Sequence, residues 1–260
     1  MNESVLYDIN EGVAVITLNR PDRYNAVNQD LVEGISESLN KAKDDHLVRA
    51  IVITGSGKGF CAGADMTVFA TEVSPEQRRD YIIKQYQPLM RQFFELNKPI
   101  IGAINGTAAG VGAAFALACD LRVMSEKSAI LYAFINIGLG PDGGASWLLS
   151  RQVGYSKAFE IAISGKKVMG NECHELGLAN KIVENEKILI ESINWAKLLA
   201  KKPTLAIGIT KEDIFYSINN DLEKTIAFEA ESQVPAFKSH DLKEGVTAFI
   251  EKREPNFKGK

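Results

Sequence analysis

Residues 105–120, which read NGTAAGVGAAFALACD, are the part of this sequence that most restricts how the chain can fold. They follow a short apolar run, PIIGAI, which predicts a buried strand. Glycine and alanine allow a helix to pack closely on a sheet, and they also allow a ligand to approach the main chain. Residues 106–118 contain no acid and no base, so this stretch offers backbone groups but no proton carrier.

A second stretch of small residues, GKGFCAGADM at positions 57–66, follows another predicted strand at positions 50–54. Neighbouring parallel strands end at the same edge of a sheet, where ligands of α/β proteins bind. Free N–H groups at a helix start can stabilise developing negative charge, and two of them make an oxyanion hole. The residues alone leave two alternatives equally open, which are a ligand site of this kind or close packing of helix and sheet.

Strand-like and helix-like patterns alternate along the first 200 residues, which predicts an α/β fold with largely parallel strands. Apolar residues recur every four positions over residues 28–43 and predict a helix. Ser74 and Gln77 are spaced as a capping box and predict a second helix, which ends near residue 95.

Only helical patterns follow residue 201, and the last predicted helix is expected to begin with a capping box of Asp241 and Glu244. We therefore predict two parts, which are an α/β core at residues 1–200 and a helical assembly region at residues 201–260.

The composition narrows the class of protein. The chain has 260 residues and a net charge of −3, so we expect a globular protein whose partner is neither nucleic acid nor an anionic membrane. Its three cysteines lack CxxC spacing and its first residues do not resemble a signal peptide, so a cytoplasmic protein is expected. The three histidines are scattered along the sequence, and no metal site is predicted.

Two glycine motifs invite a nucleotide-binding interpretation. GSGKGF at positions 55–60 contains Gly-Lys, but Gly59 stands where a phosphate-binding loop needs Ser or Thr. GLGPDG at positions 138–143 has the glycine spacing of a dinucleotide-binding turn, but Pro141 lies inside it and no long strand–helix unit opens there. A nicotinamide dehydrogenase is therefore only an outside alternative.

Four motifs together resemble the crotonase family in order and approximate spacing: NRPDRYNAV, GKGFCAGADM, INGTAAGVGAAFALACDLRV and GLGPDGGASWLL. Members of this family act on acyl-CoA thioesters, and the resemblance extends over essentially the whole chain. It implies a spiral of ββα units followed by helices that assemble trimers, commonly stacked as hexamers. It also implies that coenzyme A enters as part of the substrate and that no cofactor is permanently bound.

By this resemblance, the backbone N–H groups of Ala64 and Val111 form the oxyanion hole, and Asp65 caps the helix that follows. Val111 stands where the family often has glycine, which narrows the space beside the thioester. The resemblance assigns binding of CoA and its acyl group to Arg23, Ala26, Ala62, Asp65, Met66 and Gly110. For Arg23 an ordinary exposed position is the alternative. Phe257 and Lys260 are expected to reach the CoA of a neighbouring subunit.

Hydratases of this family hold a water between two glutamates, and alanine occupies both corresponding positions here. The first position is Ala114, and the second is Ala133 or one of its neighbours. Adding water to a double bond requires a base for the water and an acid for the α-carbon. Efficient hydration is therefore not expected.

The nearest carboxylate in the sequence is Asp142, which lies between a proline and a glycine. Aspartate is frequent in such turns, and from the residues alone a turn is the favoured interpretation. The longer stretch AFINIGLGPDGGASWLLSR, however, resembles the isomerase branch of the family, which includes ring-epoxide isomerases of phenylacetate breakdown. In that branch the aspartate is the acid and base. The acyl pocket is then expected to be lined by Phe134, Leu139, Pro141 and Trp147 and bordered by residues 67–87.

The sequence thus predicts an acyl-CoA isomerase that shifts a double bond, or rearranges a ring epoxide, next to a CoA thioester. A single carboxylate is enough for this task, because the same base can remove a proton at one carbon and return it at another. Two alternatives stay open. The chain could be a weak enoyl-CoA hydratase, or a non-catalytic acyl-CoA-binding subunit in which Asp142 is only a turn residue.

Overall fold

A computed structural model describes residues 3–67 and 73–260. Its strands are β1 (Val5–Asn10), β2 (Val13–Leu18), β3 (Ala50–Gly55), β4 (Ile100–Ala103), β5 (Thr107–Ala109), β6 (Leu121–Met124), β7 (Ala129–Leu131), β8 (Lys167–Met169) and β9 (Lys181–Ile182). Its α-helices are α1 (Gln29–Asp44), α2 (Pro75–Tyr81), α3 (Gln87–Glu95), α4 (Val111–Ala118), α5 (Ala145–Val153), α6 (Tyr155–Ser164), α7 (Gly170–Glu175), α8 (Ile188–Ala200), α9 (Thr204–Ser217), α10 (Leu222–Phe237) and α11 (His240–Glu251). A π-helical turn, Ile82–Tyr86, joins α2 to α3, and a 3-10 helix spans Ala133–Ile137.

The larger sheet has the strand order β1-β2-β3-β4-β6-β9. Strand β1 pairs antiparallel with β2, and the strands from β2 to β9 pair in parallel. A smaller sheet has the order β5-β7-β8, with β5 and β7 parallel and β7 and β8 antiparallel. The predicted α/β fold with largely parallel strands is confirmed. Strands β3 and β4 are parallel neighbours, so the two small-residue stretches do leave the sheet at one edge.

Strand β3 is buried on both faces, because helices cover both sides of the larger sheet. Ile51 and Ile53 belong to the core cluster that includes α1 and α3, whereas Val52 belongs to the cluster that includes α8. This alternation follows from the two-residue period of a strand. The rigid, doubly covered strand fixes the position of the loop that follows it.

The predicted helix boundaries near α1 and α2 are confirmed. The Asn28 side chain accepts a hydrogen bond from the Leu31 N–H, and Ser74 and Gln77 form the expected capping box. The helix expected to continue to residue 95 is instead interrupted by the π-helical turn. Pro88 has no N–H to continue the regular hydrogen-bond pattern and its ring crowds the carbonyl four residues earlier, which accounts for the interruption.

The C-terminal helices α9, α10 and α11 follow the predicted pattern, but the predicted capping box of α11 is wrong. The N-cap is Ser239, whose hydroxyl accepts from the Leu242 N–H. The Asp241 carboxylate instead accepts from the N–H groups of Lys258 and Gly259, so it fastens the chain terminus to α11. In the part of the chain that the structure describes, no helix is both long and apolar enough to cross a bilayer.

Candidate active site

Three chain segments lie side by side at the edge where β3 and β4 end. Val27 and Ala64 form an isolated parallel bridge, in which the Val27 N–H donates to the Gly63 carbonyl. Cys61 and Ala108 form a second bridge, which joins the segment around residue 61 to β5. The two predicted small-residue stretches are therefore hydrogen-bonded neighbours.

The backbones of Gly63 and Gly110 touch at the centre of this arrangement. A Cβ on Gly63 would lie 2.8 Å from the Ala109 carbonyl oxygen, and one on Gly110 would lie 3.7 Å from the Gly63 Cα. Both residues also have positive φ angles, 90° and 54°, which glycine adopts without strain. Glycine is required at position 63 by both space and conformation, and at position 110 by conformation.

Ala64 and Val111, the predicted oxyanion donors, directly follow these two touching glycines. The neighbours of Ala64 make the bridge to Val27, so the Ala64 N–H points away from that strand. Val111 is the first residue of α4, where N–H groups have no partner within the helix. Among residues 3–67 and 73–260, neither N–H has a hydrogen-bond acceptor. The geometry fits two free donors in one place.

The loop that carries Asp142 lies across the first turn of α4. A Cβ on Gly143 would be 2.8 Å from Val111 Cγ2 and 3.8 Å from the Ala114 Cβ. On its other side the loop reaches α3, since Met90 Cε is 4.0 Å from the corresponding position on Gly144. The structure thus brings Asp142 and Val111 together, although they are 31 positions apart in the sequence.

Asp142 is a partly buried carboxylate in apolar surroundings. Its Oδ1 atom is buried and has no hydrogen-bond partner among the residues that the structure describes. Burial raises the pKa of Asp142 from the usual 3.8 to about 6. A carboxylate with a pKa near the working pH can both take up and release a proton.

Two residues that the sequence reasoning did not single out hold the loops of the site. Asn25 is fully buried with a φ of 57°, and its side-chain amide donates to the carbonyls of Ser56, Gly59 and Phe60. Asparagine tolerates this left-handed conformation better than most residues, so an asparagine within a predicted loop was the feature of the sequence that could have indicated this role. Arg20 bridges the Ala26 carbonyl and the Asp65 carboxylate.

Asp65 is buried, and its Oδ1 accepts from the N–H of Thr67 and from the Thr67 hydroxyl, so it caps the turn that begins at Met66. These hydrogen bonds and the Arg20 guanidinium hold the pKa of Asp65 below its usual value. Asp65 is therefore an ionised structural group that fixes the Ala64 backbone. Residues 68–72, which belong to the expected border of the acyl pocket, lie outside the described residues.

The residues predicted to bind CoA surround these loops. Arg23 and Ala62 are exposed, Ala26 is buried, and the side chain of Met66 is 53% exposed. Phe257 and Lys260 lie elsewhere. Arg49, which precedes β3 at the opposite edge of the sheet, donates to the Phe257 carbonyl.

The residues predicted to line the acyl pocket do not all face one space. Phe134 is buried, with ring atoms 3.9 Å from the position of a Cβ on Gly110. Leu139 and Pro141 line an apolar surface cavity of about 410 Å³ between the 3-10 helix, α5 and α6. The Trp147 ring packs on Phe94 and Phe215. The role of these residues in acyl binding stays a prediction.

Two other sequence expectations concern Cys61 and the GLGPDG motif. Cys61 is buried, its thiol donates to the Asn25 carbonyl, and burial raises its pKa to about 12, as expected for a packing residue. The motif follows a 3-10 helix rather than a strand, which is not the context of a dinucleotide-binding turn. Within the described chain, no three His, Cys, Asp or Glu side chains are grouped to hold a metal ion.

The α/β core presents free amides from two paired glycine loops beside a partly buried carboxylate, an arrangement typical of enzyme active sites. Comparisons with known proteins identify the family. Residues 8–260 match the family model of enoyl-CoA hydratase/isomerase. The 1,2-epoxyphenylacetyl-CoA isomerase of Escherichia coli is 36% identical over the whole of both chains. The crotonyl-CoA hydratase of Syntrophomonas wolfei is 32% identical over 98% of each chain.

A solved structure agrees with this result. The crystal structure of an enoyl-CoA hydratase from Polaromonas sp. JS666 superimposes with a TM-score of 0.93 at 30% identity, over 97% of this chain and 99% of that chain. The chain therefore belongs to the enoyl-CoA hydratase/isomerase, or crotonase, family, and the predicted crotonase-like fold is confirmed.

Proposed function

We propose that this chain is an acyl-CoA isomerase, which moves a double bond from the β,γ to the α,β position of a CoA thioester. The observation that carries the proposal is the placement of Asp142, whose loop lies on the first turn of α4 beside Val111 and Ala114. A buried carboxylate oxygen without a donor and a pKa of about 6 suit a group that shuttles one proton.

In the proposed first step, the Asp142 carboxylate removes a proton from C2 of the thioester. The electron pair of the broken C–H bond moves towards the carbonyl, and negative charge develops on the thioester oxygen. The amides of Ala64 and Val111 donate to that oxygen. One such donor typically contributes a factor of about 10²–10³ to the rate.

In the second step, the protonated Asp142 returns the proton to C4, and the double bond is left between C2 and C3. No water and no redox partner takes part, so a single acid–base group completes the reaction. Coenzyme A enters as part of the substrate, and we propose no permanently bound cofactor.

The second candidate is a weak enoyl-CoA hydratase, which the identity to a crotonyl-CoA hydratase favours. Ala114 and Ala133 argue against efficient hydration, because neither can hold or activate a water. A ring epoxide beside the thioester is a further candidate substrate, since one relative is named for that reaction. Its opening would use the same amides and the same carboxylate.

For the CoA part of the substrate we propose Arg23, Ala26, Ala62 and Met66 on the loops next to the amides. Phe257 and Lys260 are proposed to reach the CoA of a neighbouring subunit in a trimer or a dimer of trimers. Phe257 lies near the start of the six-residue strand β3, whereas the candidate active site of the same chain lies beyond its end. At about 3.3 Å per residue this separation approaches 20 Å, which favours contact with another subunit.

The test compares wild type and Asp142→Asn on 3-hexenoyl-CoA and crotonyl-CoA, with 2-enoyl-CoA formation and hydration followed separately. We expect rapid isomerisation by wild type, slow hydration, and a loss of isomerisation of about 10² or more in Asp142→Asn. Asp44→Asn removes an exposed carboxylate on α1 and serves as the matched control, with full activity expected.

Dominant hydration by wild type, or an Asp142→Asn variant as fast as wild type, would refute the single-base mechanism. Thioester binding without turnover of either substrate would identify a non-catalytic binding subunit and would also contradict the proposal.

A further inference from the structure

Tyr86 lies on the α3 side of the space between α4 and the Asp142 loop, which is the proposed cleft for the acyl chain. It is the last residue of the π-helical turn, and its side chain is only 4% exposed. Its ring meets that of Phe115 edge-on, with centroids 6.5 Å apart, and Phe115 follows Ala114 on α4. Met90, one helical turn after Tyr86, touches the Gly144 end of the Asp142 loop. Tyr86 therefore lies between α4 and that loop.

The electrostatics agree with this placement. The pKa of the Tyr86 phenol is raised, first by burial and then by Tyr81, Asp142 and Cys61. Tyr86 is thus a neutral donor at physiological pH. Tyr81 and Cys61 are neutral there as well, since burial also raises their pKa values. Of these neighbours, only Asp142 becomes charged near neutrality, which makes it the natural acceptor for the phenol.

Asp142 needs a donor that it does not have. Within residues 3–67 and 73–260 its Oδ1 is buried without a partner, and no hydrogen bond joins it to Tyr86. A buried carboxylate that lacks donors favours its protonated form, and an apolar acyl chain that enters the cleft removes still more water from it. Without a donor, Asp142 would then be a poor base at neutral pH.

We propose that Tyr86 is a positioning residue for Asp142. When an acyl chain fills the cleft, the Tyr86 hydroxyl donates to Asp142 Oδ1, which keeps the carboxylate ionised and leaves Oδ2 free to face the substrate. This inference rests on the isomerase function proposed above. The two groups are already close enough for the charge of Asp142 to act on the Tyr86 phenol.

The π-helical turn supports the same role. Such turns are rare insertions in α-helices and are frequent at functional sites. Here the N–H of Gln87 donates to the Ile82 carbonyl, five residues earlier, and Pro88 follows directly. The extra residue changes the direction in which Tyr86 projects relative to α2. In the sequence, this turn is indicated by Pro88, which lies inside a helical pattern.

The first test is the pH dependence of kcat, at saturating 3-hexenoyl-CoA, for wild type, Tyr86→Phe and Tyr7→Phe. In Tyr86→Phe we expect the acid limb to move up by about one pH unit, with a loss of about tenfold on the acid limb and a smaller loss at neutral pH. Tyr7→Phe loses a phenol hydroxyl on β1, outside the proposed site, and is the matched control, with an unchanged profile expected. A Tyr86→Phe profile identical to that of wild type would overturn the inference.

The second test asks whether Tyr86 acts through Asp142. In the Asp142→Asn background, Tyr86→Phe is expected to have no further effect on the residual rate, because the acceptor charge is absent. Losses that multiply in the double variant would mean that Tyr86 acts independently, and would contradict the proposed role.

A third measurement does not depend on turnover. Carbon-13 NMR of labelled aspartate would report the Asp142 pKa with the saturated thioester hexanoyl-CoA bound, in wild type and in Tyr86→Phe. A higher pKa in Tyr86→Phe supports the inference, and equal values refute it. Failure of wild type to isomerise 3-hexenoyl-CoA would instead refute the proposed function, so the two failures are distinguishable.

Discussion

Gly143 sets the distance between Asp142 and α4. It has a φ of 58°, and a Cβ there would come within 2.8 Å of Val111 Cγ2. Contacts that close force the neighbouring groups to move, and a side chain at this φ is strained as well. The position of the carboxylate thus depends on a residue with no side chain.

Gly143→Ala is therefore expected to lower kcat/KM on 3-hexenoyl-CoA by about tenfold or more and stability by about 1–3 kcal/mol. Gly140→Ala is the control in the same loop, because no atom of the described residues lies within 4 Å of its Cβ position. Steady-state kinetics and urea unfolding would measure both effects. Equal behaviour of the two variants would contradict the account of the loop.

Asp142 also makes the free energy of unfolding depend on pH. Burial raises its pKa from 3.8 to about 6, so the folded chain favours the protonated form. The favourable contribution of Asp142 to the free energy of unfolding is complete below pH 4. As the pH rises through 6 this contribution is lost, and the free energy of unfolding falls by up to about 3 kcal/mol. Asparagine carries no charge at any of these pH values.

We expect Asp142→Asn to gain stability relative to wild type between pH 4 and pH 7, even as activity falls. Urea unfolding at several pH values would measure the difference between the two chains. A stability difference that stays constant across this range would show that the Asp142 pKa is not raised in the folded protein.

Among the elements, those with strong local signals were the ones that the sequence predicted. Helix α1 has both a regular apolar stripe and the Asn28 cap, and the capping box at Ser74 defined the start of α2. Strand β5 lies in an alanine-rich segment with little strand preference, and it forms because Cys61 and β7 pair with it. Long-range pairing of this kind leaves no local pattern in the sequence.

The sequence likewise predicted the parts of the site that have a local motif, and missed the part that depends on tertiary packing. The motifs around Ala64 and Val111 located the loops that meet, because glycine at fixed positions reports a close backbone approach. The contribution of Tyr86 depends on a change of helical register. That change comes from the combination of Pro88 with packing against α4, which a periodicity analysis cannot resolve.

Pro88→Ala restores the missing N–H and permits a regular helix through residues 82–95. Losing the inserted residue would rotate Tyr86 by about 100° relative to α3. We expect isomerisation to fall with equal or greater thermal stability, because helix-interior proline is unfavourable. Arg91→Ala changes an exposed residue further along α3 and should leave activity unchanged. Thermal unfolding and kinetics on the same samples would decide, and full activity in Pro88→Ala would contradict the importance of the turn.

On the scale of the whole molecule, the C-terminal helices carry large exposed apolar side chains. Phe249 is 85% exposed, and other examples are Leu222, Phe237 and Ile250. Exposed apolar groups concentrated on one region are typical of surfaces that bind another chain. They support the proposal that this region assembles trimers.

Light scattering after size exclusion is expected to give the mass of a trimer or a dimer of trimers. Phe249→Asp places a charge at the proposed contact and should shift the mass towards the monomer. Leu47→Asp is the control, because it alters a 67% exposed side chain in the α/β part of the chain. No shift in mass is expected for this variant. A monomeric wild type would refute the assembly proposal.

The two amides at Ala64 and Val111 have a consequence for how such proteins diverge. Every amino acid except proline supplies a backbone N–H, so almost any point mutation at these positions retains the donor. A carboxylate such as Asp142, by contrast, is lost in a single substitution. In the proposed mechanism, genetic drift in this lineage therefore alters the proton transfer more readily than the stabilisation of the enolate charge, and new activities can arise without rebuilding the proposed oxyanion hole.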